Sequence, residues 1–583
     1  MRHLLSLMLT LLLVLPGLAV SQDLSPGDAK PLVTVSFSGY GELQKDAAYL
    51  GQLMNNPQMG QMLDAMITMG TGGQGLVSVD PNRPWGVTVQ TDADQFPVLG
   101  FVPVSDVGKF VDLLKSVDMK VTDNGDGTYT IDTPANQPLA MRYQNGWAYL
   151  ADNATRLEQL PADPVKSLGS LPAKYDLAAL IHVVNLPQPI RQMISTNLSM
   201  GAAMAAQRQP EESDEQFAMR KMATQNAIKQ FNRMIEQLDK YLVGLALKRD
   251  AGTAMIDVAV SAQPGTELAG QFATMADAKT DFFGFADESA AVWANWARDL
   301  TDDEVLQLKA YVAEAQKGAE KALEEQDLSA DDLEKARGML AELFTVVNEN
   351  LEAKKTDGGV AVYTGSEQLT VTAGGYLADG PKLEGLVKKF VEQLAVEKPE
   401  IRELVQLDAE TYKGVNFHVV SLPTEELDEG AEVVTKLMGD PVRAIIGFGP
   451  NSGYVALGKD AAATLKAIID TSQANAGQKI SPGKMVVKLT PIVQLVADAA
   501  DDPQTQAIAG ALSAALSQAP GKDLLLVESR PIPNGAMTRI TLEEGVLRVI
   551  GVGVQQVIQA TQGAMQAQPA GPGIQPAGPG GGF

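Results

Sequence analysis

Short blocks of alternating apolar and polar residues run through most of this chain, punctuated by Gly, Asn, Asp and Pro, and longer stretches with three-to-four spacing separate them. LVTVSF (Leu32–Phe37) reads as a strand, followed by helical spacing through Leu43, Tyr49, Leu50 and Leu53. The Met-rich stretch Met54–Met69 continues in helical spacing and is expected to pack as core. Strands are predicted at Trp85–Gln90 and Phe96–Val102. A helix capped by Ser105 or Asp106 follows, with Val107, Phe110, Val111 and Leu114 on its apolar face. Val121–Ile131 reads as a hairpin and Leu139–Tyr143 as a strand. Asn145–Leu160 reads as a Gly-turn, a strand (Trp147–Leu150) and a helix beyond Asn153. Strand Leu177–Val184 leads into a helical arm over residues 187–242, in which Ile228, Phe231, Ile235, Leu238 and Leu242 form an a/d seam. Strands Val243–Lys248 and Thr253–Ser261 close this part around the turn Asp250-Ala251-Gly252.

A similar succession follows. Strand Ala291–Ala297 precedes a capping box, Thr301-Asp-Asp-Glu304, with Leu300 placed as a hydrophobic staple. Ser329 opens a second helix, and strands Val360–Thr364 and Leu369–Ala373 lead to a helix through Leu383, Leu386, Val387 and Phe390. Strands at Val415–Leu422, Ala444–Phe448, Met485–Leu489, Leu524–Ser529 and Ala536–Leu542 precede a last helix from about Glu544. Asp106, Lys109 and Leu113 recur as Asp379, Lys382 and Leu386. Gly146-Trp147 recurs as Gly453-Tyr454, Leu177 as Met485, and Gly252 as Gly535. The pattern predicts an α+β fold built as two diverged copies of one unit, with mainly antiparallel sheets packed by amphipathic helices and a helical arm inserted in the first copy. The expected divisions are a signal peptide over 1–21, unit 1 over 32–275 with its arm at 187–242, unit 2 over 284–560, and a disordered Pro/Gly-rich tail over 561–583.

Composition narrows the function. Arg2 and His3, the apolar run Leu4–Leu15, and Pro16-Gly17 before small residues read as an export signal cut after Ala19 or Ser21. No later stretch has the length and apolarity of a membrane span. Val546–Ile558 is interrupted by Arg548, Gln555 and Gln556. The chain has no cysteine, so disulfides, thiolate metal sites and cysteine nucleophiles are excluded. A net charge of −25 without a basic stripe argues against nucleic-acid binding and against anionic lipid surfaces. QPAGPG occurs at Gln568 and again at Gln575, a composition that cannot build a core.

Chemistry-bearing motifs are sparse. Gly70–Gly75 spells G-x-G-x-x-G, but a helix precedes it and a strand follows, the reverse of a dinucleotide site. Ser481-Pro-Gly-Lys484 spells S-x-x-K without its partner motifs. Asp123-Asn-Gly-Asp126 is oxygen-rich but lacks calcium-loop spacing. Asp302/Asp303 and Asp331/Asp332 sit where helix starts favour carboxylates. Only His182 and His418 remain beyond the leader. No catalytic, cofactor-binding or metal-binding residue is assigned, and no cofactor is expected.

The leader, the acidic cysteine-free body, strand–capped-helix units such as Ala291–Leu308 and the Pro/Gly/Gln tail together resemble exported proteins of planctomycete-type bacteria. That resemblance implies no particular activity. The expectation is an exported periplasmic or extracellular protein with a non-enzymatic binding or scaffolding role. A carrier of lipid or another apolar ligand is the alternative, and a hydrolase the second alternative. Whether the chain is an enzyme is left open, leaning to no. The partner is expected to be a protein or an apolar ligand, not a nucleic acid.

Overall fold

The computed structural model describes residues 29–566, apart from 55, 57–58, 72, 74, 92–95, 118, 134–137, 206, 209–211, 213, 327–328, 367, 425–430 and 501. The expected signal peptide over 1–21, and the expected tail from 567 onward, lie outside these residues.

Ten strands come from the first half: β1 (Lys30–Phe37), β2 (Trp85–Thr91), β3 (Val98–Pro103), β4 (Lys120–Asp123), β5 (Thr128–Asp132), β6 (Leu139–Gln144), β7 (Trp147–Ala151), β8 (Leu177–His182), β9 (Leu238–Lys248) and β10 (Thr253–Ala262). Ten come from the second: β11 (Val292–Asp299), β12 (Lys355–Gly365), β13 (Gln368–Tyr376), β14 (Val405–Tyr412), β15 (Val415–Leu422), β16 (Val442–Gly449), β17 (Ser452–Gly458), β18 (Gly483–Lys488), β19 (Leu524–Ile532) and β20 (Gly535–Glu543). All twenty form one antiparallel sheet. From edge to edge its order is β4-β5-β6-β7-β3-β2-β1-β8-β9-β10-β20-β19-β18-β11-β12-β13-β17-β16-β15-β14. Read outward from the β10–β20 pair, the two halves follow the same order strand for strand.

Helix placement follows the same rhythm. α1 (Tyr40–Leu53) and α2 (Met59–Gly70) lie between β1 and β2, and α3 (Val107–Ser116) follows β3. α4 (Gln188–Ala205) and α5 (Asp214–Gln237) join β8 to β9, and α6 (Glu267–Ala273) follows β10. In the second half α7 (Asp302–Glu324) and α8 (Ala330–Glu352) lie between β11 and β12, and α9 (Gly380–Glu397) follows β13. α10 (Ala431–Met438) joins β15 to β16, and α11 (Ala461–Ala474) follows β17. α12 (Leu489–Ala499) and α13 (Pro503–Ser517) join β18 to β19, and α14 (Glu544–Gln566) follows β20. The expected caps are in place: the Asp106 carboxylate accepts from the Lys109 N–H, Asp379 from Lys382, and Thr301 and Glu304 complete the capping box of α7.

Three local expectations are corrected. Leu238 and Leu242, assigned to the a/d seam of the arm, belong to β9, because pairing with β10 and β8 claims them one turn after Ile235. The arm's helices therefore end at Gln237. The helix expected beyond Asn153 is a single 3₁₀ turn, Ala154–Leu157, before Pro161 and Pro164 interrupt the chain. The Met-rich stretch forms helices, but Met62, Met66 and Met69 are exposed and not core.

Where the halves meet, Asp257 of β10 and Arg539 of β20 stand opposite one another. Arg539 donates Nε to Oδ1 at 2.7 Å and Nη2 to Oδ2 at 2.8 Å, and the Tyr175 hydroxyl donates to Oδ2 at 2.9 Å. Burial opposes ionisation of Asp257, but hydrogen bonds from Arg539 and Tyr175 outweigh it and hold the carboxyl below its usual range. The Tyr175 ring lies flat over Gly244, where a Cβ would stand 2.5 Å from ring carbons. Gly244→Ala should push Tyr175 off Asp257 and cost about 1–3 kcal/mol, read as a lower urea midpoint at unchanged slope.

Candidate functional site

Directly opposed residues in neighbouring antiparallel strands share a face of the sheet, so the registers assign faces without ambiguity. One row reads Leu177, Leu245, Ile256, Ile540, Val527, Met485, Ala294, Val360, Ala373, Val455, Ile446. It crosses from β8 to β16 without one polar side chain. Leu177, Leu245 and Val455 are exposed at 38, 42 and 40 %, and the rest of the row is half-buried. No member belongs to any of the hydrophobic clusters that pack the sheet.

The opposite face is built the other way. Its matching row is Asp257, Arg539, Glu528, Lys484, Asn295, opposite charges side by side. On either side of that polar centre the same face is well packed. Leu465, Ile468, Ile469, Phe282 and Phe285 cover Trp293, Ala361, Tyr454 and Ala456, while Leu171 and Tyr175 cover Ala178 and Ala246. Antiparallel sheets ordinarily solvate their polar face and pack the apolar one. Here a long apolar row lies outside the packed clusters from Leu177 to Val455, until α9 packs on the same face at β16.

At β9, β10 and β20 helices flank this row at both strand ends. Tyr49, Leu50 and Leu53 of α1 and Leu547 of α14 pack onto Leu247, Ala254 and Leu542 at one end. Leu268, Ala269 and Phe272 of α6 pack with Val260 and Ala262 at the other. Ala254 and Val260 are about 20 Å apart at the rise of a strand. Two helix half-widths leave a trough roughly 10 Å across between walls one helix high. α1 is itself fastened by Arg249, which pairs with Glu42 at 2.6 Å and with the buried Asp46. Burial and the nearby Asp176 charge push the Asp46 carboxyl up to about 6, against the opposing pull of Arg249.

Beyond Ile446 the row ends at His418, on the side where α9 packs. Lys388 of α9 sits between Glu384 at 2.7 Å and Asp408 at 2.6 Å, and Asn416 donates to Glu384 at 2.7 Å and to Asp408 at 2.6 Å. The buried His418 accepts the Asp408 backbone N–H at Nδ1, 3.0 Å away, and its Nε2 lies 3.3 Å from Glu384 without hydrogen-bond alignment. Glu384, Asp408 and His418 are close enough to share a metal ion. The ring argues otherwise: Nδ1 already accepts a proton donor, so the neutral imidazole keeps its own proton on Nε2, the atom a metal would need. The Lys388 ammonium also holds the position between the carboxylates. With one cation held between two carboxylates, this cluster ties α9 to β14 and β15.

Burial pushes the His418 imidazole below its usual range, more than the neighbouring Glu384 charge raises it, and burial lowers His182 likewise. A depressed histidine contributes stability above its unfolded value, about 6.5, and that contribution is lost as pH falls toward its folded value. The wild type's margin over His418→Gln, read from urea midpoints, should therefore shrink between pH 7.5 and 5, while the raised Asp46 acts in the opposite sense in both proteins alike.

The other motifs resolve into structural roles. Asp123 and Asp126 accept N–H groups of their own hairpin turn, so their oxygens do not converge. Ser481 donates to Glu528 at 2.7 Å, and Lys484 lies over the Trp293 ring. Asp303 pairs with Arg233 at 2.7 Å, and the Asp332 N–H donates to Ser329. Gly70 is the last residue of α2, and none of the described residues from 71 to 75 opens a helix. A second apolar recess, about 660 Å³, lies between α7, α8 and α9, lined by Ala319, Leu323, Leu340, Leu343, Leu386 and Phe390 among others.

Comparison with family models, with curated proteins and with solved structures returns no match. Among the described residues, no helix is long and apolar enough to cross a membrane.

Proposed function

We propose that this chain is an exported, non-enzymatic binding protein whose ligand is an apolar molecule such as a lipid acyl chain, held on the uncovered sheet face. The single observation that carries this reading is the unbroken apolar row from Leu177 to Val455, outside the packed clusters and flanked by helices at β9, β10 and β20. Leaving such a row open to water forgoes about 25 cal/mol for every Å² of apolar surface, so a ligand that covers it binds by the same term. A trough about 10 Å wide matches rod-like ligands and is too narrow for a folded domain. The leader over residues 1–21 supports export, and with the acidic body and the tail it favours the planctomycete-type resemblance.

The two halves are, in the same proposal, diverged copies of one ten-strand unit. The matching strand order and helix placement support this, as do the matching caps at Asp106 and Asp379. A scaffolding role is the second reading, favoured by the exposed Met200 and Met204 on the arm helix α4.

Native mass spectrometry of protein purified from its own envelope, with organic extraction of whatever is bound, tests the first reading. A stoichiometric apolar ligand is expected. Protein that emerges empty, and takes up no fatty acid or phospholipid when offered them, refutes it.

A further inference from the structure

Between the arm helices α4 and α5 lies a recess of about 540 Å³, a volume typical of small-molecule sites. Apart from Leu186 and Ile235, its described lining is polar, and its charges are sorted by helix. Arg191 on α4 is the one cation among the described lining residues, and Glu236 on α5 the one anion. Gln188, Gln192 and Ser195 share a stripe of α4 with Arg191, at i, i+3, i+4 and i+7. The Arg191 Nε donates to the Leu186 carbonyl at 2.8 Å, and Nη2 donates to Val184 at 2.7 Å and to Val183 at 3.3 Å. These neutral carbonyls fix the plane of the guanidinium without cancelling its charge, and among the described residues Nη1 is left without an acceptor. Carboxylates outnumber cations 71 to 46 in this chain, yet neither Arg191 nor Glu236 forms a salt bridge among the described residues. One turn before Glu236, the Asn232 Oδ1 atom is enclosed and receives no hydrogen bond, a state that costs free energy until a donor arrives.

The geometry points to a binding site for a small zwitterion, an amino acid or a dipeptide, between α4 and α5. Its carboxylate accepts from the Arg191 Nη1 edge, with Gln192 and Ser195 as further donors. Its ammonium donates to the Asn232 Oδ1 atom and to the Glu236 carboxylate. Other ligand classes leave one helix unsatisfied. A lone anion gives Asn232 no donor and faces the Glu236 charge, and a lone cation faces Arg191. An acyl chain would bury these polar groups without partners. A sugar finds no aromatic ring in the described lining to lie against. The inference stands apart from the apolar-ligand reading, which concerns the sheet face.

Isothermal titration calorimetry of the full chain with the standard L-amino acids and with L-alanyl-L-alanine tests the inference. At least one of them should bind with a dissociation constant below about 1 mM. The N-acetylated and the C-amidated forms of that binder, each lacking one charge, should bind about tenfold more weakly or worse. Glu236→Gln should lose affinity by about the same factor at an unchanged melting temperature, since the exposed Glu236 side chain holds no structural partner among the described residues. Asn232→Leu, which replaces the enclosed acceptor by an apolar group of similar size, should also bind more weakly while keeping its melting temperature. No saturable binding by any member of the panel overturns the inference. Equal binding by wild type and Glu236→Gln overturns it too, as does equal binding of the zwitterion and its charge-blocked forms.

Discussion

Replacing Arg539 by Met is expected to destabilise the protein by about 3–5 kcal/mol at neutral pH, the cost of leaving a buried carboxylate without its cation. Asp257 is almost wholly enclosed, and two of its three hydrogen bonds come from this one guanidinium. Arg539 lies in the last strand of one half and Asp257 in the last strand of the other, so the loss falls on the joint between them. The sign of its pH dependence follows from the depressed Asp257 value. A carboxyl held below its unfolded value of about 4 contributes stability above that pH, and loses it as pH falls through the folded value. The variant's deficit against wild type should therefore be full at pH 7 and shrink below pH 4. Urea melts at several pH values measure it. Adding Asp257→Asn to the variant should restore part of the loss, because no uncompensated charge then remains.

The second large effect concerns binding. Leu245→Glu places a carboxylate in the apolar row, one strand in from its Leu177 end, at a position exposed enough for the free protein to tolerate it. Its folding cost should stay within about 1 kcal/mol. Against a bound acyl chain the same carboxylate would lose its water, at about 3 kcal/mol or more, which lowers affinity by at least two orders of magnitude. Purified variant should carry no co-extracted apolar ligand, and titration with a fluorescent fatty acid should show the loss. Unchanged ligand content would place the binding site elsewhere, with the recess between α7, α8 and α9 the next location to test.

Much of the architecture was legible in local residue patterns because local physics decides it. The capping box at Thr301, the caps at Asp106 and Asp379, and the strands flanking the Gly146 and Gly252 turns depend on neighbours a few residues away. The matched order of these elements was visible for the same reason. That the two halves share one sheet was not, since Ile256 pairing with Ile540 is a contact across about half of the chain. Leu238 and Leu242 illustrate the competition: they satisfy helical spacing after Ile235, but β10 and β8 offer them a ladder, and tertiary pairing prevails.

The candidate site was legible only as raw material. Leu245 and Leu247, Val258 and Val260, Ile540 and Leu542 alternate plainly with polar or small neighbours, marking an apolar face on each strand. Alternation says which side is apolar and not whether anything covers it. Met62, Met66 and Met69 pose the same problem, for their spacing is equally suited to a core stripe and to a face turned outward.

The β10–β20 joint also has a temporal meaning. β20 does not begin until Gly535, far beyond the end of β10 at Ala262, so β10 has no neighbour on one side until the intervening chain has been delivered. Until then the first ten strands end in an open hydrogen-bonding edge, the kind that captures strands from other molecules. A chain stopped before residue 535 should therefore clump as it accumulates, however well its first half folds, which makes the final hairpin the guardian of everything synthesised before it.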